Sequence, residues 1–284
     1  MSLSDISLTA GMRANLLNLQ QTVNLLNRTQ TRLSTGKKVN TPIDDPLNYF
    51  TAKSLTDRAS DLSTSKDNMS EAIQTISAAN NGITAINALV SAAKGVATSA
   101  LSAAAGDISS LATQYNGILT QITYAANNSF YKGTNLANSL SHTLTVDLGD
   151  SSQLVVTGFD LTATGLVIST ASNGTATGSY NWGAVSDTTP NAANIQLSVG
   201  QLDSALSTLR VDSQGLSSNS NIVTIRQDFA KNMISTLQTG ADNLTLADMN
   251  EEGANMLMLQ TRQALGISAL SLSAQAAQSV LKLF

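Results

Sequence analysis

Apolar residues recur along this chain in steps of three and four over most of its length, and in steps of two only in the middle. Near the N-terminus the rhythm runs Leu16, Leu19, Val23, Leu26, Gln30, Leu33. Near the C-terminus it runs Met256, Leu259, Gln263, Ile267, Leu270, Ala274, Ala277, Leu281, Phe284. Such spacing places side chains on one face of an α-helix. It predicts a first helix over 4–33, roughly 45 Å long at ~1.5 Å per residue, and a last helix opening near 246. Between them, over 47–99, Leu55, Leu62, Met69, Ile76, Ile83, Val90 and Ala97 recur every seven residues. A companion set three residues earlier is Ala52, Ala59, Lys66, Ile73, Asn80, Asn87 and Lys94, apolar at first and then diluted by polar residues. This is coiled-coil spacing, sustained over a helix of roughly 75 Å.

Breaks between these segments have identifiable chemistry. Gly36 offers a helix stop, and Pro42 and Pro46 keep 34–46 out of continuous helix. Asp44 and Asp45 stand before the next helix, where carboxylates suit the positive end of its dipole. Gly106 and Asp107 read as a break and an N-cap. A further helix then carries Ile108, Leu111, Tyr115, Ile118, Ile122 and Ala125, and the short connection makes it antiparallel to the helix before it. In the middle, Leu144, Val146 and Leu148 alternate with polar residues, 149–152 interrupts, and Leu154 and Val156 resume, which is a β-hairpin pattern. Val167 and Ile168 read as part of another strand. The segment 169–189, rich in Ser, Thr, Gly and Asn, reads as exposed loop, with Tyr180 and Trp182 as its anchors. Helix resumes at Pro190, with Asp187 or Thr189 near the cap. Its apolar face is Leu202, Leu206, Leu209, Leu216, Ile222, Ile225, Phe229, Met233 and Leu237, loosening at Gly240. The fold class expected is mainly α: long antiparallel coiled-coil-like helices from both halves of the chain, with a small β-hairpin region between.

Charge changes the picture at the ends. Over 1–34 the only charged residues are Asp5, Arg13, Arg28 and Arg32, and over 253–284 only Arg262 and Lys282. A long helix so poor in charge packs on more than one side. One chain supplies each terminus with one partner, its own other terminus, so the remaining sides belong to other copies. The heptads alone favour a monomeric bundle, and it is the sparse terminal charge that turns the reading toward assembly.

Composition removes several kinds of chemistry. Cysteine is absent, which excludes disulfides and thiolate metal sites. A net charge of −4 gives no basic stripe for nucleic acid. No apolar run approaches the ~20 residues that span a bilayer, and the first eleven residues lack the basic and apolar regions of a Sec-type signal. His142 is the only histidine, so a two-histidine zinc motif cannot form, and no nucleophile elbow or phosphate loop is present. No enzymatic activity and no cofactor are expected. Asp44 and Asp45 could suggest acid–base or metal chemistry, but no acidic or histidine cluster accompanies them, so they read as cap and turn. Arg32 reads as a connector or intersubunit polar contact rather than a ligand clamp. Asn-x-Ser/Thr sequons at Asn27, Asn127, Asn173 and Asn243 are incidental in a chain this rich in those residues.

The connector carries a family resemblance. Arg32-Leu33-Ser34-Thr35-Gly36-Lys37-Lys38-Val39-Asn40, followed by Asp44-Asp45, closely resembles the N-terminal signature of bacterial flagellins, with Asn15-Leu16 and Gln20 upstream in agreement. Phe130-Tyr131-Lys132-Gly133-Thr134-Asn135-Leu136 is similar to the family's Phe-Asn-Gly-x-x-Leu segment. Ala247-Asp248-Met249 opens the last helix as flagellins do, and Ser273-Ala274-Gln275 with Gln278-Ser279-Val280-Leu281 and Leu283 resembles their ending. Leu47-Asn48-Tyr49-Phe50 departs from the common Ala-Ala-Gly-Leu, and Ala276-Ala277 lacks the usual proline.

The resemblance implies an exported, extracellular subunit that polymerises into the helical flagellar filament used for swimming. A hook–filament junction protein of the same superfamily is the alternative. It implies an inner tube domain, D0, from 1–45 and 246–284, whose helices fold on assembly, with Leu16, Leu19, Val23, Leu26, Leu33, Leu259, Ile267, Leu270, Leu281 and Phe284 as assembly residues. It implies a D1 domain from 46–142 and 190–245, seamed by Leu55, Leu62, Met69, Ile76, Ile83 and Val90, with 143–189 as its hairpin and loop and no large outer domain. Arg32, Leu33, Gly36, Asn40, Asp44 and Asp45 would form the connector between them. The implied partners are further copies, an export chaperone on the C-terminal segment, the type III flagellar export apparatus, hook-associated proteins and a filament cap, without nucleic acid or membrane insertion. Many flagellins also carry an arginine-rich epitope read by an innate immune receptor, but the matching stretch here, 82–97, has no arginine and only Lys94.

Overall fold

The computed structural model describes residues 10–149, 152–172, 179–183 and 190–281. Five long helices carry most of the chain: α1 (Ala10–Thr35), α2 (Pro46–Ala100), α3 (Ile108–Asn128), α4 (Ala192–Thr245) and α5 (Met249–Leu281). Short strands lie between α3 and α4: β1 (Phe130–Tyr131), β2 (Thr134–Asn135), β3 (Thr143–Asp147), β4 (Gln153–Thr157), β5 (Thr170–Ser172) and β6 (Ser179–Asn181). By contacts the chain divides into two compact units, Met1–Ala59 with Ser235–Phe284, and Ser60–Ile234. The division falls inside α2 and α4 rather than at the connectors.

In the second unit α2 and α4 run antiparallel. The order is marked by Lys94–Asp203 at 2.5 Å, the Ser213 hydroxyl donating to Asn80 Oδ1 at 2.8 Å, and Gln227 Nε2 donating to Ser70 Oγ at 2.6 Å. The expected seam of α2 is buried from Leu62 through Met69, Ile76, Ile83 and Val90 to Ala97. Its companion differs from expectation. Ala52 and Ala59 are buried, but the set then becomes Ser65, Ala72, Ala79, Ile86, Ala93 and Ala100, one residue before Lys66, Ile73 and Asn80. The steps 59, 62, 65 insert an extra three-residue stride, which locally overwinds a coiled coil. On α4 the heptad Ile195, Leu202, Leu209, Leu216, Val223, Ala230, Leu237 is buried. Ile222, Ile225 and Phe229, read from sequence as core, are exposed.

The strands close the bundle. Lys132 and Gly133, both at positive φ (47° and 85°), turn β1 into β2, the backbone a two-residue hairpin requires. Buried Asn135 donates through Nδ2 to the Ala126 and Asn127 carbonyls at 2.9 Å each, satisfying the end of α3. The anticipated hairpin is β3–β4, in register Leu144↔Val156 and Val146↔Leu154, with Val146 and Val156 buried. β5 and β6 pair in parallel, so part of 169–189 is strand rather than loop.

Trp182 does anchor that region. It is fully buried against Tyr115, ring centres 4.7 Å apart, and its indole N–H donates to Ser198 Oγ at 3.0 Å. Val167 and Ile168 are not in a strand, because Val167 sits in a turn at φ 57°. Asp107 stands at the N-cap of α3, its carbonyl accepting the Leu111 N–H at 3.0 Å, but its side chain makes no cap bond. Helix α4 opens at Ala192, two residues past Pro190, with Asn191 Oδ1 accepting the Asn194 N–H at 3.2 Å. Asp187 and Thr189 lie outside the described residues. Gly240 does not loosen α4, which continues to Thr245.

Candidate assembly interface and its connector

Two helix reversals are joined in the first unit. Gly36, at φ 70°, ends α1 in the left-handed conformation, its N–H donating to the Arg32 carbonyl at 2.8 Å. The chain then runs antiparallel to the α4–α5 link. Lys38 N–H donates to the Thr245 carbonyl at 2.7 Å, and Ala247 N–H donates to the Gly36 carbonyl at 2.9 Å. Val39 is buried beneath this ladder. The residue types of the connector follow from these bonds: a glycine where φ is positive, then a short extended stretch able to pair.

The two aspartates divide their work. Asp44 accepts through Oδ2 from the Asn40 and Thr41 N–H groups at 3.1 and 2.9 Å and from the Thr41 hydroxyl at 3.0 Å. The Thr41 and Asn40 amides hold its carboxyl below the usual carboxylate range. Asp45 is the N-cap of α2, accepting the Asn48 N–H at 3.1 Å, with Pro46 as the first helical residue. Asn40 Nδ2 donates to Thr35 Oγ1 at 3.0 Å, tying the connector to the end of α1. Arg32 bonds Glu252 within the chain, Nη1 to Oε1 at 2.9 Å. Glu252 lies in the first turn of α5, which Asp248 caps through the Asn250 N–H at 2.8 Å.

α1 and α5 pair antiparallel, but one partner covers one face. Of the residues expected there, Leu259 is buried, and Leu19, Val23, Leu26, Leu33 and Leu270 are half-buried. Leu16 stands at the edge, 36% exposed. Ile267 is exposed, because Gly266 occupies the inward position; a Cβ there would come within 3.1 Å of Leu19 Cδ1. Sequence reasoning passed over Met12 and Thr29, both buried on α1. Phe284 lies outside the described residues, as does the side chain of Leu281. The outer faces carry Leu17 and Leu25 on α1, and Leu257, Met258, Leu265 and Leu272 on α5, all exposed.

Seam residues Leu62, Met69, Ile76, Ile83 and Val90 lie in the core of the second unit, and Leu55 is half-buried in the first. The structure therefore collects the predicted residues into a terminal helix pair, a connector and a bundle seam rather than into one cleft. Among the described residues no group of histidine, aspartate and glutamate is placed to hold a metal. His142 Nδ1 lies 2.9 Å from both the Asn135 carbonyl and Asn138 Oδ1, a contact that ties down a loop. No helix among them is long and apolar enough to cross a membrane.

Known proteins resemble this chain in sequence. The chain matches the bacterial flagellin N-terminal helical region over residues 6–141. It is 30% identical over 287 residues to Flagellin FljM of Caulobacter vibrioides and 29% identical over 287 residues to Flagellin FljO of the same organism, covering 100% of each pair of chains. With Flagellin A of Rhizobium meliloti it shares 34% identity over 93 residues, 33% of this chain and 24% of that one. An alignment that takes in both helical ends and the short middle goes beyond a shared coiled-coil rhythm: the chain belongs to the flagellin family.

Proposed function

We propose that this flagellar filament subunit is exported and polymerises into the helical filament used for swimming, its terminal helices folding against neighbouring copies as they dock. One observation carries the proposal. The α1–α5 pairing leaves Leu17, Leu25, Leu257, Leu265, Ile267 and Leu272 in water, on helices almost without charge. Holding a helix in place costs roughly 1–2 kcal/mol of backbone entropy per residue. Burial returns ~25 cal/mol per Å² of apolar surface, and a single copy buries one face only. The balance moves toward order when further copies cover the other faces. Head-to-tail contacts that do not close give an open helical polymer.

In this reading 1–45 and 246–284 form D0, 46–142 with 190–245 form D1, and 143–189 is the hairpin and loop of D1. The connector from Arg32 to Asp45 fixes how the chain passes from one to the other. The subunit acts as a structural protein and not as an enzyme. It travels through the type III flagellar export apparatus with a chaperone on its C-terminal segment, and works outside the cell between hook-associated proteins and a filament cap. The test is seeded polymerisation of purified subunit followed by electron microscopy. Long tubes are expected. Material that caps hook ends as a single layer and never elongates would instead identify a hook–filament junction protein.

A further inference from the structure

Basic residues are scarce in this chain and unevenly placed. Of its 15 lysines and arginines, Arg28, Arg32, Lys37 and Lys38 follow one another closely across the end of α1. The fold sets all four around one pocket of about 470 Å³, between the C-terminal turns of α1 and the connector. Asn27 and Asp44 also line it.

Local structure accounts for part of this charge. The C-terminal dipole of α1 suits roughly half a positive charge. Arg32 gives Nη1 to Glu252 at 2.9 Å, and Lys38 Nζ donates to the Asn243 carbonyl at 3.4 Å. Asp44 faces the pocket, but its Oδ2 is taken up by the Asn40 and Thr41 amides and the Thr41 hydroxyl. Four cations set against Asp44 and Glu252 leave an excess of two positive charges. Arg28 and Lys37 are exposed, and among the described residues neither side chain has an acidic partner. Like charges gathered in a concave site repel one another and focus their field on whatever anion enters it.

We propose that this pocket binds a small phosphate-bearing anion of at least two charges, a diphosphate or a phosphate monoester. Donor chemistry argues for phosphate. Arg28 and Arg32 stand one helical turn apart on α1, and a guanidinium fork matches a pair of phosphate oxygens. Lys37 and Lys38 add point charges, and the Asn27 amide adds a neutral donor. Charge argues for a doubly charged ligand, since two positive charges are left over. Size argues for more than a bare ion, because the volume falls within the ~300–1,000 Å³ of small-ligand clefts. Nucleic acid does not fit: the chain carries a net charge of −4, and four cations in one pocket do not make the stripe that tracks a nucleic-acid backbone. The site goes beyond the polymerisation reading, since every residue of its wall comes from one copy. A bound anion would tie the end of α1 to the connector, the segment that pairs with Thr245 and Ala247.

The probe is inorganic pyrophosphate at fixed ionic strength, titrated into monomer by calorimetry and into seed-grown filaments by co-sedimentation. Both forms are used because α1 orders on docking in the reading above. Saturable binding of one pyrophosphate per subunit is expected in at least one form, with slower hydrogen exchange at the amides of 37–41. Saturable binding in neither form at millimolar concentration would overturn the site. If no filaments grow, the polymerisation reading fails and the monomer titration alone decides this one. The double variant Arg28→Gln, Lys37→Gln alters exposed side chains, so it should keep the helical spectrum and weaken binding about tenfold or more. Arg226→Gln with Lys231→Gln removes as much charge from α4 and should change affinity by less than about twofold. Equal weakening by the two pairs would mean diffuse attraction rather than a site, and would sink the proposal. Glucose 6-phosphate binding more tightly than pyrophosphate would make the ligand an esterified phosphate, and the reverse a free diphosphate. Citrate binding as tightly as either would overturn the assignment to phosphate.

Discussion

The terminal helix pair and the central bundle use one kind of element and bury very different amounts of it. Both are antiparallel helices with apolar positions three and four apart. In the bundle, α2 and α4 are joined by α3, the β3–β4 hairpin and Trp182, and Met69, Ile86, Val90, Tyr115, Leu209 and Leu216 are sealed from water. In the terminal pair, α1 buries Met12 and Thr29, and α5 buries Glu252 and Leu259, among the described residues. Sequence quality does not separate the two, since both carry leucines and isoleucines at helical spacing. Neighbours do: the bundle supplies several to each helix, whereas α1 and α5 have chiefly each other. Among the described residues, each terminal helix keeps apolar side chains on faces that its partner helix does not cover.

Removing the ends tests this difference most severely. Deletion of 1–31, or of 254–284, is expected to abolish filament formation outright while the central bundle keeps its helical signal and cooperative melting. Filaments of normal length from either deletion would show that the terminal faces are dispensable. Core truncation should give the opposite profile. Ile86→Ala removes a fully buried side chain and should destabilise the monomer by about 2–5 kcal/mol, read by urea denaturation. Leu259→Ala should lower monomer stability by less and impair seeded elongation more. Equal effects of the two on monomer unfolding would erase the proposed contrast.

The sequence made much of this legible where breaks have a local cause. Pro46 and Gly36 bounded the first two helices closely, and the alternation around Val146 and Val156 located the hairpin. The errors share one physical origin. Inward positions here are often small: Ala72, Ala79 and Ala93 on α2, Ala230 on α4 and Gly266 on α5. A reading that searches for large side chains passes over them and selects Ile73, Ile222, Ile225 and Ile267 nearby. Close-packed helices favour small residues in the seam. Where large apolar residues also line the outside, hydrophobic size no longer reports which face is the core. Val167 misled for a related reason, because a β-branched pair suggests a strand and only the backbone reveals the left-handed turn. In the connector, the pairing with Thr245 and Ala247 depends on contacts some two hundred residues apart, which no local pattern encodes.

A smaller effect refines the comparison at the connector. Asp45→Ala removes the N-cap of α2 and should cost about 1 kcal/mol, seen as faster hydrogen exchange at the amides of 47–49. Because Asp45 lies in the same compact unit as the α1–α5 pair, the change should leave exchange in the central bundle untouched. Protection lost along all of α2 would mean that the two units do not respond separately.

The smallest effect lies inside the bundle, and its sign is the informative part. Asp212 continues the α4 seam between Leu209 and Leu216, and burial raises its pKa above the ordinary aspartate value. The folded chain therefore binds this proton more tightly than the unfolded chain. Above the raised pKa the half-buried carboxylate is a cost to folding. As pH falls through that pKa the cost diminishes, and below the unfolded value, near ~4, it is gone. Asp212→Asn should raise the melting temperature of the monomer at pH 7, and the advantage should shrink steadily as the solution is acidified toward pH ~4. An asparagine variant that melts lower than the parent at pH 7 would mean that the carboxylate is stabilised in the seam by a partner strong enough to outweigh its burial. The charge would then be a fastening of the bundle, and the seam would resemble the Arg32–Glu252 contact of the terminal pair more closely than the apolar core around it.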